Sequence, residues 1–185
     1  RGGLVALSEA EQGASYVWPI RLTAVMAKDS DQWRFCQMSF SFPTIYPPDV
    51  RLVEPEAATS GQLALAHAPE YIDKVVGGRL DAAELRAIGF PWSPAMVERS
   101  RRSAGATIGA CRAAIVDGIA VNLAGGTHHA QSARGAGYCV FNDAAIAARV
   151  IQSDLAATRR QTRVAIVDLD VHQGDGTAQI LAGDA

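Results

Sequence analysis

Between Arg163 and Gln179 the chain reads RVAIVDLDVHQGDGTAQ. An apolar run gives way to Asp168, Asp170 and His172, spaced by twos, and Asp175 follows among glycines. In an extended chain such residues project to one side. Two carboxylates buried together are costly unless a metal ion or strong hydrogen-bond donors balance them. A carboxylate and an imidazole two residues apart can both reach one divalent cation, at about 2.0–2.2 Å each. Mixed oxygen and nitrogen donors suit zinc or another transition metal better than calcium or magnesium. A calcium loop starting at Asp168 fails, because its turn glycine belongs at the sixth position and that residue is Gln173.

A second group of the same chemical type lies upstream. His128 and His129 stand in tandem, with Gly125 and Gly126 before them and Gly135 and Gly137 after. A neutral imidazole near a metal-bound water can take its proton, and a second can stabilise charge. Each imidazole needs an acceptor for its other ring nitrogen, and Asp168 and Asp175 are the spare carboxylates for that role. A histidine pair in a loop is by itself usually polar surface. Here, however, three of the four histidines fall in these two segments. The fourth, His67, reads as a loop residue ahead of a helix.

The elements around these residues follow from local signals. VRLVEP (50–55) reads as a short strand closed by Pro55. SGQLALAHAPEYIDKVVGG (60–78) reads as a short helix, a break at Pro69, and a second helix from Glu70 to the Gly77-Gly78 stop. Ser93-Pro94 is a helix start, and apolar spacing from Met96 to Val116 carries that helix to Gly118. IAVNLAGG (119–126) is a short buried strand into a glycine turn, Asn142 caps a helix over 143–157, and RVAIVDLD (163–170) is the next strand. Alternation of this kind predicts an α/β domain with a parallel sheet, whose strands are apolar throughout because helices cover both faces. Ligands in such folds bind beyond the carboxyl ends of strands, where both polar clusters fall. Residues 1–45 are harder to read: YVWPIRLTAVMA could hold a strand, and FCQMSFSFPTIYPPD has no clean period.

The bulk numbers narrow the function classes. A chain of 185 residues fits one domain with a sizeable core. A net charge of −2 gives no global electrostatic case for nucleic acid or a membrane surface. The three arginines of ERSRRS (98–103) read as a solvated helix face. Cys36, Cys111 and Cys139 are widely spaced with no CxxC, which excludes a cysteine zinc knuckle and predicts a reducing, cytoplasmic setting. No apolar run approaches the roughly 20 residues that cross a bilayer. The sequence carries no signal of oligomeric state.

GGTHHA (125–130), GAGYCVFNDAAIAA (135–148) and VAIVDLDVHQGDGTA (164–178) resemble, in order and spacing, the core motifs of the histone deacetylase family. HQGDGTA and GFPWSPAMVERSRRSAGATIGA (89–110) look most like its bacterial deacetylase-like and acetylpolyamine amidohydrolase branch. LVEPEAATSGQLALAHAPEYIDKV (52–75) fits the family's His-x-x-x-Tyr segment, and the similarity runs from about Asp49 to Gly183. The resemblance implies a zinc-dependent amidohydrolase on a three-layer arginase/deacetylase-like fold, a parallel sheet flanked by helices. It matches Asp170 and His172 to zinc ligands, His129 to a general base and His128 to its electrostatic partner. It pairs Asp168 with His128 and Asp175 with His129, and places Asp168 also in a monovalent cation site such as one for potassium. Gly137 and Tyr138 match the wall of an acyl-lysine tunnel, with tyrosine where phenylalanine is frequent. The implied reaction turns an acetyl-lysine-like amide into acetate and amine, with acetylated lysine, a polyamine or a small acyl amide as substrate.

By the same resemblance a third zinc ligand, an aspartate, and an oxyanion-stabilising tyrosine lie downstream of the Asp-x-His motif. The expectation is therefore that residues 1–185 hold the N-terminal portion of a single deacetylase-like domain, with 1–45 poorly matched and the C-terminal part absent. Two other readings stand beside it. One is a truncated, catalytically incomplete homologue acting as a binding protein or remnant. The other is a two-metal arginase-type hydrolase, against which the tandem histidines and GYCVFND argue.

Overall fold

The computed structural model describes the backbone of Val5–Leu7, Tyr16–Trp18, Arg21–Asp29 and Gln32–Ser41, and residues 53–156 and 163–184. The chain divides into two compact units, Arg1–Leu52 and Val53–Ala185.

The described residues of the first unit form two antiparallel strand pairs. β1 (Val5–Leu7) pairs with β2 (Tyr16–Trp18), and β3 (Arg21–Asp29) with β4 (Gln32–Ser41). The strand expected in YVWPIRLTAVMA is thus two strands, β2 and β3, with Pro19 in the sequence between them; a proline cannot donate to a ladder. β4 was not foreseen, and the register shows why. Val25 pairs with Gln37 and Met26 with Phe35, so Cys36 is an extra residue of β4 opposite the Val25–Met26 step. A bulge of this kind resets the alternation of side chains, and the period-two pattern is lost.

The second unit is helical. α1 (Ser60–Leu63) opens with a capping box between Thr59 and Gln62. α2 (Pro69–Val76) starts on a proline at its first turn and stops at Gly77, as the sequence pattern requires. α4 (Pro94–Asp117) begins at Ser93, whose hydroxyl accepts the Met96 N–H at 3.0 Å, and ends at Gly118. α5 (Asp143–Ala156) is capped by Asn142, which accepts the Ala145 N–H at 3.0 Å. Two helices were not anticipated: α3 (Ala82–Ile88), capped by Asp81 and Glu84, and α6 (Asp175–Leu181). The core gathers Leu63, Tyr71, Val75, Ile88, Ile108, Phe141 and Ile146 between α2, α4 and α5. Gly105 of α4 lies under the Glu56 carbonyl, so closely that a β-carbon would collide with it. Among the described residues no helix is long and apolar enough to cross a membrane.

The expected parallel sheet does not form among the described residues. Residues 119–126 and 163–170 run without strand ladders among the described residues, and Val53–Pro55 forms no strand, with the rest of VRLVEP outside them. Leu123, Leu169 and Val171 are exposed at 69%, 91% and 92%. Apolar runs become strands when partners take up their backbone groups and helices cover both faces. Among the described residues no partner strand pairs with these segments.

Candidate active site

The tandem histidines sit in the loop between the end of α4 and the start of α5, and their partners come from 168–175. Nδ1 of the buried His128 lies 2.6 Å from Oδ2 of Asp168. Nδ1 of His129 lies 2.8 Å from Oδ1 of Asp175, whose other oxygen accepts from Gln131 Nε2 at 3.1 Å. An ionised carboxylate only accepts, so each imidazole carries a hydrogen on Nδ1, and in the neutral ring this leaves the lone pair on Nε2. The two rings stand 4.2 Å apart at their centroids, and His172 is 5.9 Å from His129.

Asp170 and His172 form a third pair. The Asp170 Oδ1 accepts the His172 N–H at 2.7 Å and lies 2.9 Å from its Nδ1. His128 Nε2 is 3.8 Å from the same oxygen. A carboxylate oxygen and an imidazole nitrogen therefore stand together as adjacent donors, the chemistry of two positions in a zinc shell. Among the described residues no group of three or more His, Cys, Asp and Glu side chains gathers to hold a metal. The donor set fits zinc in kind, with two donors side by side.

Hydrogen bonding shapes the electrostatics. His128 holds the Asp168 carboxyl below the usual carboxylate range, aided by the Asp170 N–H. The His172 backbone N–H, then its ring, do the same for Asp170. For Asp175 the main cause is His129. All three carboxylates are thus held ready in the charged form.

Glycines permit the close approaches. Gly174 packs on Asp168, where a β-carbon would stand 2.6 Å from Oδ2. Gly137, at φ 54°, lies against the His129 ring, with 2.7 Å to Cδ2 for such an atom. Tyr138 follows at φ 64°, exposed at 67%, edge-on to Phe90 at 5.2 Å. Its N–H donates to Ile88 O at 2.7 Å, so the unforeseen α3 anchors this rim. The structure thus brings His128, His129, Asp168, Asp170, His172, Asp175 and Gly137 into one cluster, with Tyr138 at its edge.

Three residues support the site in ways the sequence reading did not assign, although it did read Asn142 as a helix cap. His67 is no idle loop residue: it is buried, with Nδ1 3.0 Å from Gln131 O, and its Nε2 accepts the Asn142 N–H at 2.9 Å. Asn142 caps α5 and also donates to Ala130 O at 3.0 Å and Thr177 Oγ1 at 3.0 Å. Asp143 is buried beside it. The available signal was polar residues set directly after the apolar CVF.

Residues 28–185 match the histone deacetylase domain. The chain belongs to the histone deacetylase family. The match begins at Lys28, well upstream of Asp49. An uncharacterized protein of Picosynechococcus sp. is 43% identical over 134 residues, 72% of this chain and 43% of that protein. The acetoin utilization protein AcuC of Bacillus subtilis is 34% identical, over 69% of this chain and 34% of its own length. The solved structure of a histone deacetylase homologue complexed with SAHA superposes with a TM-score of 0.58 at 27% identity, covering 70% of this chain and 36% of that one. The chain therefore shares the deacetylase-like fold, and it spans about two fifths or less of the length of these relatives.

Proposed function

We propose that this chain contributes the two histidine–aspartate pairs and two zinc ligands to a deacetylase site, and that the whole protein hydrolyses an acetyl-lysine-like amide. One observation carries this reading: both Asp–His pairs are formed, at 2.6 and 2.8 Å, on rings 4.2 Å apart beside the Asp170–His172 donors. Asp170 and His172 would hold zinc, which when bound supplies Lewis acidity toward the amide carbonyl and water. Asp168 would also serve the monovalent cation, such as potassium.

The steps performed by this chain's own groups follow from the proton positions. Nε2 of His129, its Nδ1 hydrogen fixed on Asp175, takes a proton from water as oxygen bonds to the carbonyl carbon. It then returns that proton to the amine nitrogen as the carbon–nitrogen bond breaks, giving acetate and a free amine. His128, oriented by Asp168, offsets developing negative charge. Gly137 and Tyr138 would line the acyl chain's path, for an acetylated lysine, a polyamine or a small acyl amide in the cytoplasm. In the same reading residues 1–185 belong to one three-layer α/β deacetylase-like domain, as its N-terminal portion. The alternative, a catalytically incomplete homologue, draws on the absence of a third donor near Asp170 and His172 among the described residues.

The test is acetate release by the zinc-loaded protein from an acetyl-lysine peptide and an acetylated polyamine. The reading expects acetate from at least one and its loss in His129→Ala. No release from either, or an unchanged rate in the variant, sinks it.

A further inference from the structure

Asp143 takes no part in the chemistry described above, yet it is 4% exposed and ends in a carboxylate that no described lysine or arginine pairs with. Such a group is costly to bury unless every lone pair is met. It is met four times. Oδ1 accepts from the Thr127 N–H at 2.8 Å and the Thr127 hydroxyl at 2.6 Å. Oδ2 accepts from the Thr107 hydroxyl at 2.6 Å and the Gly126 N–H at 3.3 Å.

The donors are themselves fixed. Asn122 Nδ2 donates to Thr107 Oγ1 at 2.8 Å, and that hydroxyl's own hydrogen has Asp143 as its nearer acceptor at 2.6 Å, with the Ser103 carbonyl at 3.4 Å. The Asp143 N–H donates to Thr127 Oγ1 at 3.1 Å, closing a reciprocal pair. Asp143 is also the first residue of α5, where a negative charge meets the positive end of the helix dipole. The Gly125 backbone passes at φ 141°, so near that a β-carbon would lie 2.6 Å from Oδ2.

The residue after Thr127 is His128. Its carbonyl is held from the other side by the Thr177 N–H at 3.1 Å and by Asn142 Nδ2 at 3.4 Å. The main chain at His128 is therefore gripped before and after, and the grip before it is Asp143.

We propose that Asp143 is a positioning residue, whose carboxylate fixes residues 125–127 between α4 and α5 and so aims the His128 ring at Asp168. The effect on turnover rests on the deacetylase reading of His128 and His129; the effect on the ring does not. Helix capping alone does not explain the arrangement, because Asn142 already caps α5 and all four donors to Asp143 lie outside α5.

The experiment uses the whole chain with nitrogen-15-labelled histidine, whose four residues make the ring signals assignable by single substitutions. Asp143→Asn turns an amide toward donors at one oxygen. The expected result is loss or marked shift of the His128 Nδ1–H signal, while the His67 Nδ1–H signal, whose acceptor is the Gln131 carbonyl, stays in place. In active protein kcat should fall about 10–100-fold with KM within about twofold, the scale for removing an orienting partner. Thr127→Ser keeps the hydroxyl and should preserve the His128 signal.

An unchanged His128 signal in Asp143→Asn overturns the inference. If Asp143→Asn unfolds, both signals collapse and Thr107→Val decides, since it removes one donor: faster exchange of the His128 hydrogen alone supports the inference, and no change overturns it. A wild-type chain without turnover removes the deacetylase reading and leaves the ring comparison to judge the positioning.

Discussion

Acidification should destabilise the helical unit through one buried imidazole. His67 is 2% exposed, and burial pushes its pKa from the usual 6.5 down to about 4, despite the Ser132 and Gln131 carbonyls that favour its charge. The cause is visible in its partners: Nδ1–H donates to Gln131 O, and Nε2 must stay unprotonated to accept the Asn142 N–H. Between about pH 6.5 and pH 4 the unfolded chain binds this proton and the folded chain does not, so stability falls as pH falls through that window. A shift from 6.5 to about 4, at 1.36 kcal/mol per unit, amounts to about 3 kcal/mol, a large part of a typical 5–15 kcal/mol. Below about pH 4 the His67 penalty is complete, whereas Asp168, Asp170 and Asp175, held below the usual carboxylate range, withdraw their contributions only there. The assay is urea unfolding at constant ionic strength, followed by far-ultraviolet circular dichroism, which reads α1 to α6. His67→Gln keeps a donor and an acceptor but does not titrate; it should be less stable than wild type near neutrality and much less pH-dependent. Parallel losses in both proteins between about pH 6.5 and pH 4 would refute the reasoning.

His172→Ala should lose zinc retention, measured as metal content after dialysis; unchanged content would remove it as a ligand. Asp168→Asn should leave the fold intact and lower turnover at least about tenfold by releasing the His128 ring, and wild-type kinetics would count against the pair. Gly176→Ala places a β-carbon against the carbonyls of Ala130 and His128, which are backbone and cannot move aside. It should cost about 1–3 kcal/mol in thermal or urea unfolding, and a neutral result would show that α6 shifts freely.

Local signals that act within a few residues were legible in the sequence. Ser93-Pro94 and Gly118 bound α4, and Asn142 starts α5, because caps and glycine stops are decided by the backbone groups they satisfy. α6 escaped because Asp175 was read as a site residue alone, yet it also opens the helix. α3 carries a capping box at Asp81 and Glu84 but only seven residues, too short for periodicity to declare it. The strand readings at 119–126 and 163–170 rested on apolar content, and strand formation depends on partners that no stretch of sequence contains. Within the site, residue types and spacing pointed to His128, His129, Asp168 and Asp175. The supports did not show, because His67 reaches Asn142 across 75 positions and Thr107 reaches Asp143 across 36.

The account stands on Asp170 and His172 presenting donors to one zinc beside two oriented imidazoles. Its most direct test is zinc titration of the whole chain by competition against a chelator, in wild type, Asp170→Ala and His172→Ala. The account predicts one zinc per chain, lost in both variants and retained in His129→Ala. Absence of binding in wild type, or wild-type affinity in either Asp170→Ala or His172→Ala, would contradict it.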